Sequence, residues 1–196
     1  MHLTLPTILT LFRIGLLPVI VVVFYLPEYY APAARWSNIA AAAVFMLAAF
    51  TDWLDGWIAR RYNMSSAFGA FLDPVADKLM VATALVLLVQ QNPTPVMAVA
   101  SAVIIGREIS ISALREWMAE IGQRAAVGVA WIGKIKTTMQ IVAIVVCLHQ
   151  RDVPELRLYR IGEGLLILAA ILTIWSALVY VRAAWPAMRD ADSGKV

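Results

Sequence analysis

Two neighbouring segments decide the fold of this chain, Asp52-Trp-Leu-Asp55-Gly56-Trp-Ile-Ala59-Arg60 and Gly69-Ala-Phe-Leu-Asp73-Pro-Val-Ala-Asp77. Their four aspartates stand in a sequence that is otherwise strongly apolar. Placing a carboxylate in hydrocarbon is costly unless the carboxylate has a partner and a function. The two segments therefore indicate a membrane protein with a chemical site inside the bilayer.

The spacing within both segments is helical. In the first, the two aspartates and Ala59 fall at i, i+3 and i+7, so they share one face of a helix. In the second, Gly69 and the two aspartates are four apart and stack on one face of the next helix. Residues 61–67 between them have the length of a loop in an antiparallel helical hairpin. We therefore expect two facing helices that direct four carboxylates to one point.

A cluster of carboxylates supplies the hard oxygen ligands that divalent metals prefer. Two ions a few ångströms apart need about four carboxylates and can clamp phosphates during an in-line displacement. The sequence thus predicts two divalent ions, Mg²⁺ or Mn²⁺. Gly56 and Gly69 each cost a helix about 1 kcal/mol relative to Ala, which suggests close approach of a ligand or of the other helix. The alternative is a set of salt bridges from the aspartates to Arg60, Arg61 and Lys78.

Composition supports the membrane assignment. Of the 196 residues, 62% are hydrophobic and 15% are charged, and the mean hydropathy is +0.78. Average soluble domains are about 45–50% apolar and about 25% charged. We predict an all-α polytopic membrane protein, with one domain over residues 1–189 and a short tail over 190–196. Its six transmembrane helices are expected at about residues 8–26, 37–60, 67–90, 95–117, 127–149 and 162–184.

The four middle segments are each half apolar and half polar, and the order of the halves alternates along the chain. Charged residues end the second and fourth segments and begin the third and fifth. All polar halves therefore fall in one leaflet and form a polar chamber there. Lysines and arginines are more frequent on that side, which predicts a cytoplasm-facing chamber and two cytoplasmic termini. The loop over residues 150–160, with three arginines, is the one exception.

The motif Asp52-x2-Asp55-Gly56-x2-Ala59-Arg60-x8-Gly69-x3-Asp73-x3-Asp77 resembles the signature of the CDP-alcohol phosphatidyltransferases. Further segments of the second to fifth spans, such as Ile111-Ser-Ala-Leu-Arg-Glu-Trp-Met-Ala-Glu120, resemble members that use sn-glycerol 3-phosphate as the acceptor. The first span also fits over Pro6-Thr-Ile-Leu-Thr-Leu-Phe-Arg13, although many members carry Asn where this chain has Thr7.

The resemblance implies a role for each residue of the motif. Asp52, Asp55 and Asp73 would ligate metal, and Asp77 would be the general base that also touches a metal. The CDP moiety would be bound by five residues of the two segments, Asp52, Gly56, Ala59, Arg60 and Gly69.

An acceptor that carries a phosphate needs basic residues in the same chamber. Four lie on the polar halves of the fourth and fifth segments: Arg107, Arg115, Lys134 and Lys136. The alternative for these residues is that they are interfacial cations whose charges reach the membrane surface. Arg115 could also pair with Glu116 or Glu120.

The expected reaction is transfer of a phosphatidyl group from CDP-diacylglycerol to sn-glycerol 3-phosphate in the bilayer of a bacterial cytoplasmic membrane. The family resemblance further suggests a homodimer, and we expect no nucleic-acid partner. Another acceptor, such as inositol phosphate, serine or choline, is the main alternative. A divalent-cation transporter is disfavoured because the apolar halves of the middle segments, for example Ile39–Phe50 and Leu79–Val89, hold no charged residue.

Overall fold

The structure is a computed structural model, described here for residues 4–62, 66–120, 122, 130–149 and 157–192, without the side chains of residues 130–134, 187 and 190–192. All regular structure in these ranges is helical, which confirms the all-α prediction. A 3-10 helix, Ala31–Arg35, follows the first of six α-helices. These are α1 Leu5–Tyr29, α2 Ser37–Tyr62, α3 Ala67–Gln91, α4 Pro95–Glu120, α5 Ala130–His149 and α6 Arg157–Asp192.

The helices have the lengths and compositions of a polytopic membrane protein. Among the described residues, α1, α2, α4 and α6 are long and apolar enough to cross a bilayer. A helix of 25 residues, the length of α1, spans about 37 Å at 1.5 Å per residue, against about 30 Å of hydrocarbon. The apolar part of α5 is shorter, Ile135–His149. In α3 the charged residues occupy the first half, and the apolar run follows them.

The helix ends differ from the expected boundaries in both directions. α2 continues to Tyr62, so Arg61 is helical rather than in the loop expected over residues 61–67. α3 begins where Ser66 accepts a hydrogen bond from the Gly69 N–H at 2.9 Å. α6 is longer than the segment 162–184 and continues into the expected tail. Hydropathy marks the apolar length of a helix, whereas caps and backbone hydrogen bonds set its ends. Residues 127–129 of the expected fifth segment lie outside the described ranges.

Helix α1 organises the site because it packs against both α2 and α3, while those two contact each other little. The prediction that α2 and α3 face each other directly is therefore wrong, since each of them packs against α1 more than against any other helix. The other main contacts join α6 to α4 and α5, α5 to α2, and α4 to α3. The buried core between these helices includes Ile20, Phe45, Leu85 and Ile144. Many large apolar side chains, Trp175 for example, lie on the outer surface, as expected for a protein surrounded by lipid.

Candidate functional site

The carboxylates of the two motif segments do converge, and the guanidinium of Arg13 on α1 holds them together. Its Nη1 donates to Asp52 Oδ1 at 2.9 Å and also to Asp77 Oδ1, and its Nη2 donates to Asp55 Oδ2. Arg13 is only 1% exposed, although it is one of the largest side chains in the chain. One buried cation from the first helix thus joins aspartates from the second and third.

The fourth aspartate is bound by the same face of α1. The hydroxyl of Thr10, three residues before Arg13, lies 2.5 Å from Asp73 Oδ1 and 3.1 Å from the carbonyl oxygen of Pro6. Residues three apart are neighbours on a helix surface, so Thr10 and Arg13 form one polar patch on α1. We call Thr10 and Arg13 the α1 floor. Each of the four aspartates makes at least one contact with it.

The aspartates differ in how far they reach toward solvent. The side chain of Asp55 is 6% exposed, whereas those of Asp52 and Asp77 are 49% and 46% exposed. The α1 floor contacts one oxygen of each carboxylate. The open side of the cluster therefore presents carboxylate oxygens from two helices, with the floor buried behind them.

The charge balance of this cluster fits bound cations. Fully ionised, the four aspartates carry four negative charges, and in the described part of the chain Arg13 is the single cation in ion-pair contact with them. Buried carboxylates are stable when paired or when they coordinate metals, so the remaining negative charge favours divalent cations. Among the described residues, no group of three acidic, histidine or cysteine side chains is already arranged as a ligand set. The donor chemistry therefore suits the metals.

The alternative partners considered from the sequence do not pair with these aspartates. In the described residues no ion pair joins them to Arg60, Arg61 or Lys78. The ammonium of Lys78 donates instead to the carbonyl oxygen of Pro74 at 3.1 Å. The salt bridges exist, but they come from Arg13 on the first helix.

The two motif glycines have different neighbours. A Cβ on Gly56 would lie 3.4 Å from Nη1 of Arg60, so the arginine folds back along its own helix over the glycine. A Cβ on Gly69 would lie 2.8 Å from Oγ1 of Thr7 and 3.0 Å from Oγ of Ser66. Gly69 thus permits close approach of α1 to α3, one of the two reasons expected for it. Ala59 is partly buried, one turn after Asp55, and Arg60 is exposed.

Beside the carboxylates lies a cavity of about 690 Å³, a volume typical of small-ligand sites. The first half of α3 forms one wall and includes Asp73 and Asp77. The second half of α4 forms the other wall and includes Arg107 and Arg115. Tyr180 of α6 completes the lining. Two of the predicted metal ligands and two of the predicted phosphate ligands therefore face one space.

The predicted phosphate ligands are held in different ways. Arg107 donates through Nη2 to the Ser176 hydroxyl at 2.7 Å, and its Nη1 lies 3.3 Å from Glu108 Oε1. The exposed Arg115 lies over the ring of Tyr180, 5.9 Å from its centroid. Among the described ion pairs, none joins Arg115 to Glu116 or Glu120.

Lys136 differs from the arginines because its charge is already neutralised. It is 3% exposed, its ammonium lies 2.5 Å from Glu108 Oε1, and it is not among the described residues that line the cavity. Lys134 is helical in backbone, but its side chain lies outside the described set.

Several site residues were missed from the sequence although signals for them existed. Arg13 is a charged residue inside an apolar span, which is by default a functional residue, and Thr10 precedes it by three positions. On α6, Thr173, Ser176 and Tyr180 recur at i, i+3 and i+7, which marks one polar face. No pattern in the sequence revealed that Glu108 pairs with Lys136, since these residues lie on different helices.

Comparison with known proteins gives consistent results. The family model described as CDP-alcohol phosphatidyltransferase matches residues 3–175. A CDP-diacylglycerol–glycerol-3-phosphate 3-phosphatidyltransferase of Shigella flexneri serotype 5b (strain 8401) is 50% identical over 184 residues, covering 94% of this chain and 96% of the relative. The enzyme of the same name from Escherichia coli (strain K12) has the same identity and coverage.

Proposed function

Because the chain belongs to the CDP-alcohol phosphatidyltransferase family, we propose that it transfers the phosphatidyl group of CDP-diacylglycerol to sn-glycerol 3-phosphate. The products are phosphatidylglycerol phosphate and CMP, as in phosphatidylglycerol and cardiolipin synthesis. The observation that carries the proposal is the 50% identity, over 94% of the chain, to relatives named for this reaction. The cavity between acidic and basic walls supports it, because the reaction brings a diphosphate and an acceptor phosphate together.

The metal site consists of Asp52, Asp55, Asp73 and Asp77, which bind two divalent ions, Mg²⁺ or Mn²⁺. When bound, such ions neutralise the diphosphate and make CMP a better leaving group. The convergence of these carboxylates on the α1 floor, with a net negative charge, supports this role.

The CDP moiety binds along the α2 side of the cluster. Asp52, Gly56, Ala59 and Arg60 share one helical face there, and Gly69 on α3 completes the predicted set. Arg60 is exposed and provides a fork of N–H donors suited to phosphate oxygens. The glycine beneath its guanidinium leaves the space in which that fork lies.

Asp77 is the general base of the reaction. Its carboxylate lines the cavity and is partly exposed, so it can accept the proton of the acceptor 1-hydroxyl. The hydroxyl oxygen forms a bond to the phosphorus that carries diacylglycerol, and the bond from that phosphorus to CMP breaks. CMP leaves with the electron pair, and Asp77 returns its proton to water in the cavity. No covalent enzyme intermediate is required.

The phosphate of the acceptor binds the opposite wall. Arg107 and Arg115 line the same cavity as Asp77, which places cationic donors opposite the base. Lys134 and Lys136 complete the predicted set; the contact between Lys136 and Glu108 supports an indirect contribution from this lysine.

The remaining proposals concern the extent of the domain, its location in the membrane and its oligomeric state. The catalytic domain spans residues 1–189 and lies in a bacterial cytoplasmic membrane, with the chamber and both termini facing the cytoplasm. The acyl chains remain in the bilayer, and the protein is a homodimer. The four candidate spans and the bacterial relatives support the membrane location.

An acceptor competition assay tests the proposed reaction. Purified protein in detergent receives CDP-diacylglycerol, a divalent cation and labelled sn-glycerol 3-phosphate, with unlabelled inositol phosphate, serine or choline as competitors. We expect labelled phosphatidylglycerol phosphate and an equal amount of CMP, without competition from the other alcohols. Preferential use of one of those alcohols would assign the protein to another acceptor. Uptake of divalent cations into proteoliposomes without lipid product would indicate transport instead.

A further inference from the structure

The α1 floor is the part of the site that the signature motif does not contain. Thr10 is 0% exposed and Arg13 is 1% exposed, so both lie behind the carboxylates rather than in the cavity. Together they contact aspartates from both α2 and α3, although those two helices contact each other little. The relative positions of the carboxylates therefore depend on α1.

Arg13 has contacts that Lys could not reproduce. Two nitrogens of one planar group reach three carboxylates from two helices, whereas an ammonium is a single point charge on a flexible chain. The oxygens that Arg13 binds are Asp52 Oδ1, Asp77 Oδ1 and Asp55 Oδ2. Arg13 thus contacts each of these carboxylates through one oxygen only.

Displacement of the guanidinium by another cation is unfavourable. In the described part of the chain, its acceptors are these aspartates alone. Displacing Arg13 would leave a buried charge unpaired, which is strongly unfavourable. Binding of a cation with Arg13 still in place avoids that loss.

We infer that Thr10 and Arg13 are positioning residues that orient the four aspartates for divalent-cation binding while remaining behind them. The inference rests on the proposed function, because it takes these aspartates to be the metal ligands. If the guanidinium only competed with metal, its replacement would raise metal affinity. If it only packed the helices, its replacement would leave metal affinity unchanged.

Binding of Mn²⁺ alone, measured by the electron paramagnetic resonance signal of the free ion, tests this role without turnover. The full chain is purified in detergent as wild type, Arg13→Lys, Thr10→Val and the control Arg61→Lys, an exposed arginine near the site. Loss of a residue that orients metal ligands typically weakens affinity about 10–100-fold. We expect Arg13→Lys to weaken Mn²⁺ binding within that range and Thr10→Val by about 10-fold, while Arg61→Lys binds like wild type.

The variants separate the possible outcomes. Tighter Mn²⁺ binding by Arg13→Lys would mean that Arg13 competes with metal. Unchanged binding by both variants would mean that the two residues only hold the helices together. Either result overturns the inference. If Arg13→Lys does not fold, Thr10→Val decides, because it keeps the shape of the side chain. Asp55→Asn tests the proposed metal site separately: if it binds Mn²⁺ as wild type does, the proposed site itself is wrong.

Discussion

The pairing of Glu108 with Lys136 leads to an asymmetric prediction for their variants. Lys136 is 3% exposed and Glu108 is 30% exposed, and their charged atoms lie 2.5 Å apart. Glu108→Ala would leave the ammonium buried without its carboxylate, a change that costs about 3–5 kcal/mol for a fully buried pair. Because Glu108 is partly exposed, we expect the lower end, about 3 kcal/mol. For a chain of this size that corresponds to a fall in Tm of roughly 6–12 °C.

Lys136→Met should cost less stability than Glu108→Ala, because the group left without its partner is the carboxylate of Glu108. The remaining carboxylate is partly exposed and still has Arg107 at 3.3 Å, so we expect a loss of about 1 kcal/mol. Replacing both charges, in Glu108→Ala/Lys136→Met, removes the unpaired ammonium and should return stability to within about 1 kcal/mol of wild type.

Thermal unfolding in detergent can be followed with a thiol-reactive dye, because Cys147 is the single cysteine of the chain and is 0% exposed. The dye reports when the core around α5 and α6 opens, and circular dichroism provides a second readout. Additive losses in the double variant, or a larger loss for Lys136→Met than for Glu108→Ala, would refute the reasoning.

Two further substitutions test the packing of α1 and the cavity wall. Gly69→Ala places a methyl group 2.8 Å from the buried Thr7 hydroxyl and should destabilise the protein by about 1–3 kcal/mol. Gly15→Ala, whose added Cβ has nothing within 4 Å, should be neutral or stabilising by up to about 1 kcal/mol. Equal changes in Tm for the two variants would contradict this prediction. Tyr180→Leu removes the ring under Arg115 and should raise the KM for sn-glycerol 3-phosphate about 2–5-fold. Tyr180→Phe keeps the ring and should leave the KM unchanged. Steady-state kinetics measures both variants, and equal effects would exclude the cation–π contact as the cause.

The sequence was sufficient to predict the fold class and the convergence of the four aspartates. The helical spacing of the aspartates and the alternation of polar and apolar halves depend only on local order along the chain, so they could be interpreted directly. The family signature then linked the acidic cluster to a reaction, and the full-length relatives agree with it.

The rest depended on contacts between distant residues. Arg13 meets Asp52 and Asp77 across separations of 39 and 64 residues, and spacing within a helix cannot reveal such a contact. The expected hairpin assumed that consecutive helices pack together, whereas α1 provides the main contact surface for both α2 and α3. Likewise, the ion pair between Lys136 and Glu108 joins two helices, so spacing along one helix could not predict it.

The central claim is that Asp77 activates the acceptor hydroxyl beside the metal-binding carboxylates. Asp77→Asn keeps the size of the side chain and removes the base, so the measurement is formation of phosphatidylglycerol phosphate alongside binding of CDP-diacylglycerol by the same preparation. We expect product formation to fall by at least about 100-fold, the lower range for general-base catalysis, while the lipid nucleotide still binds. Product formation close to that of wild type, with binding intact, would contradict the claim.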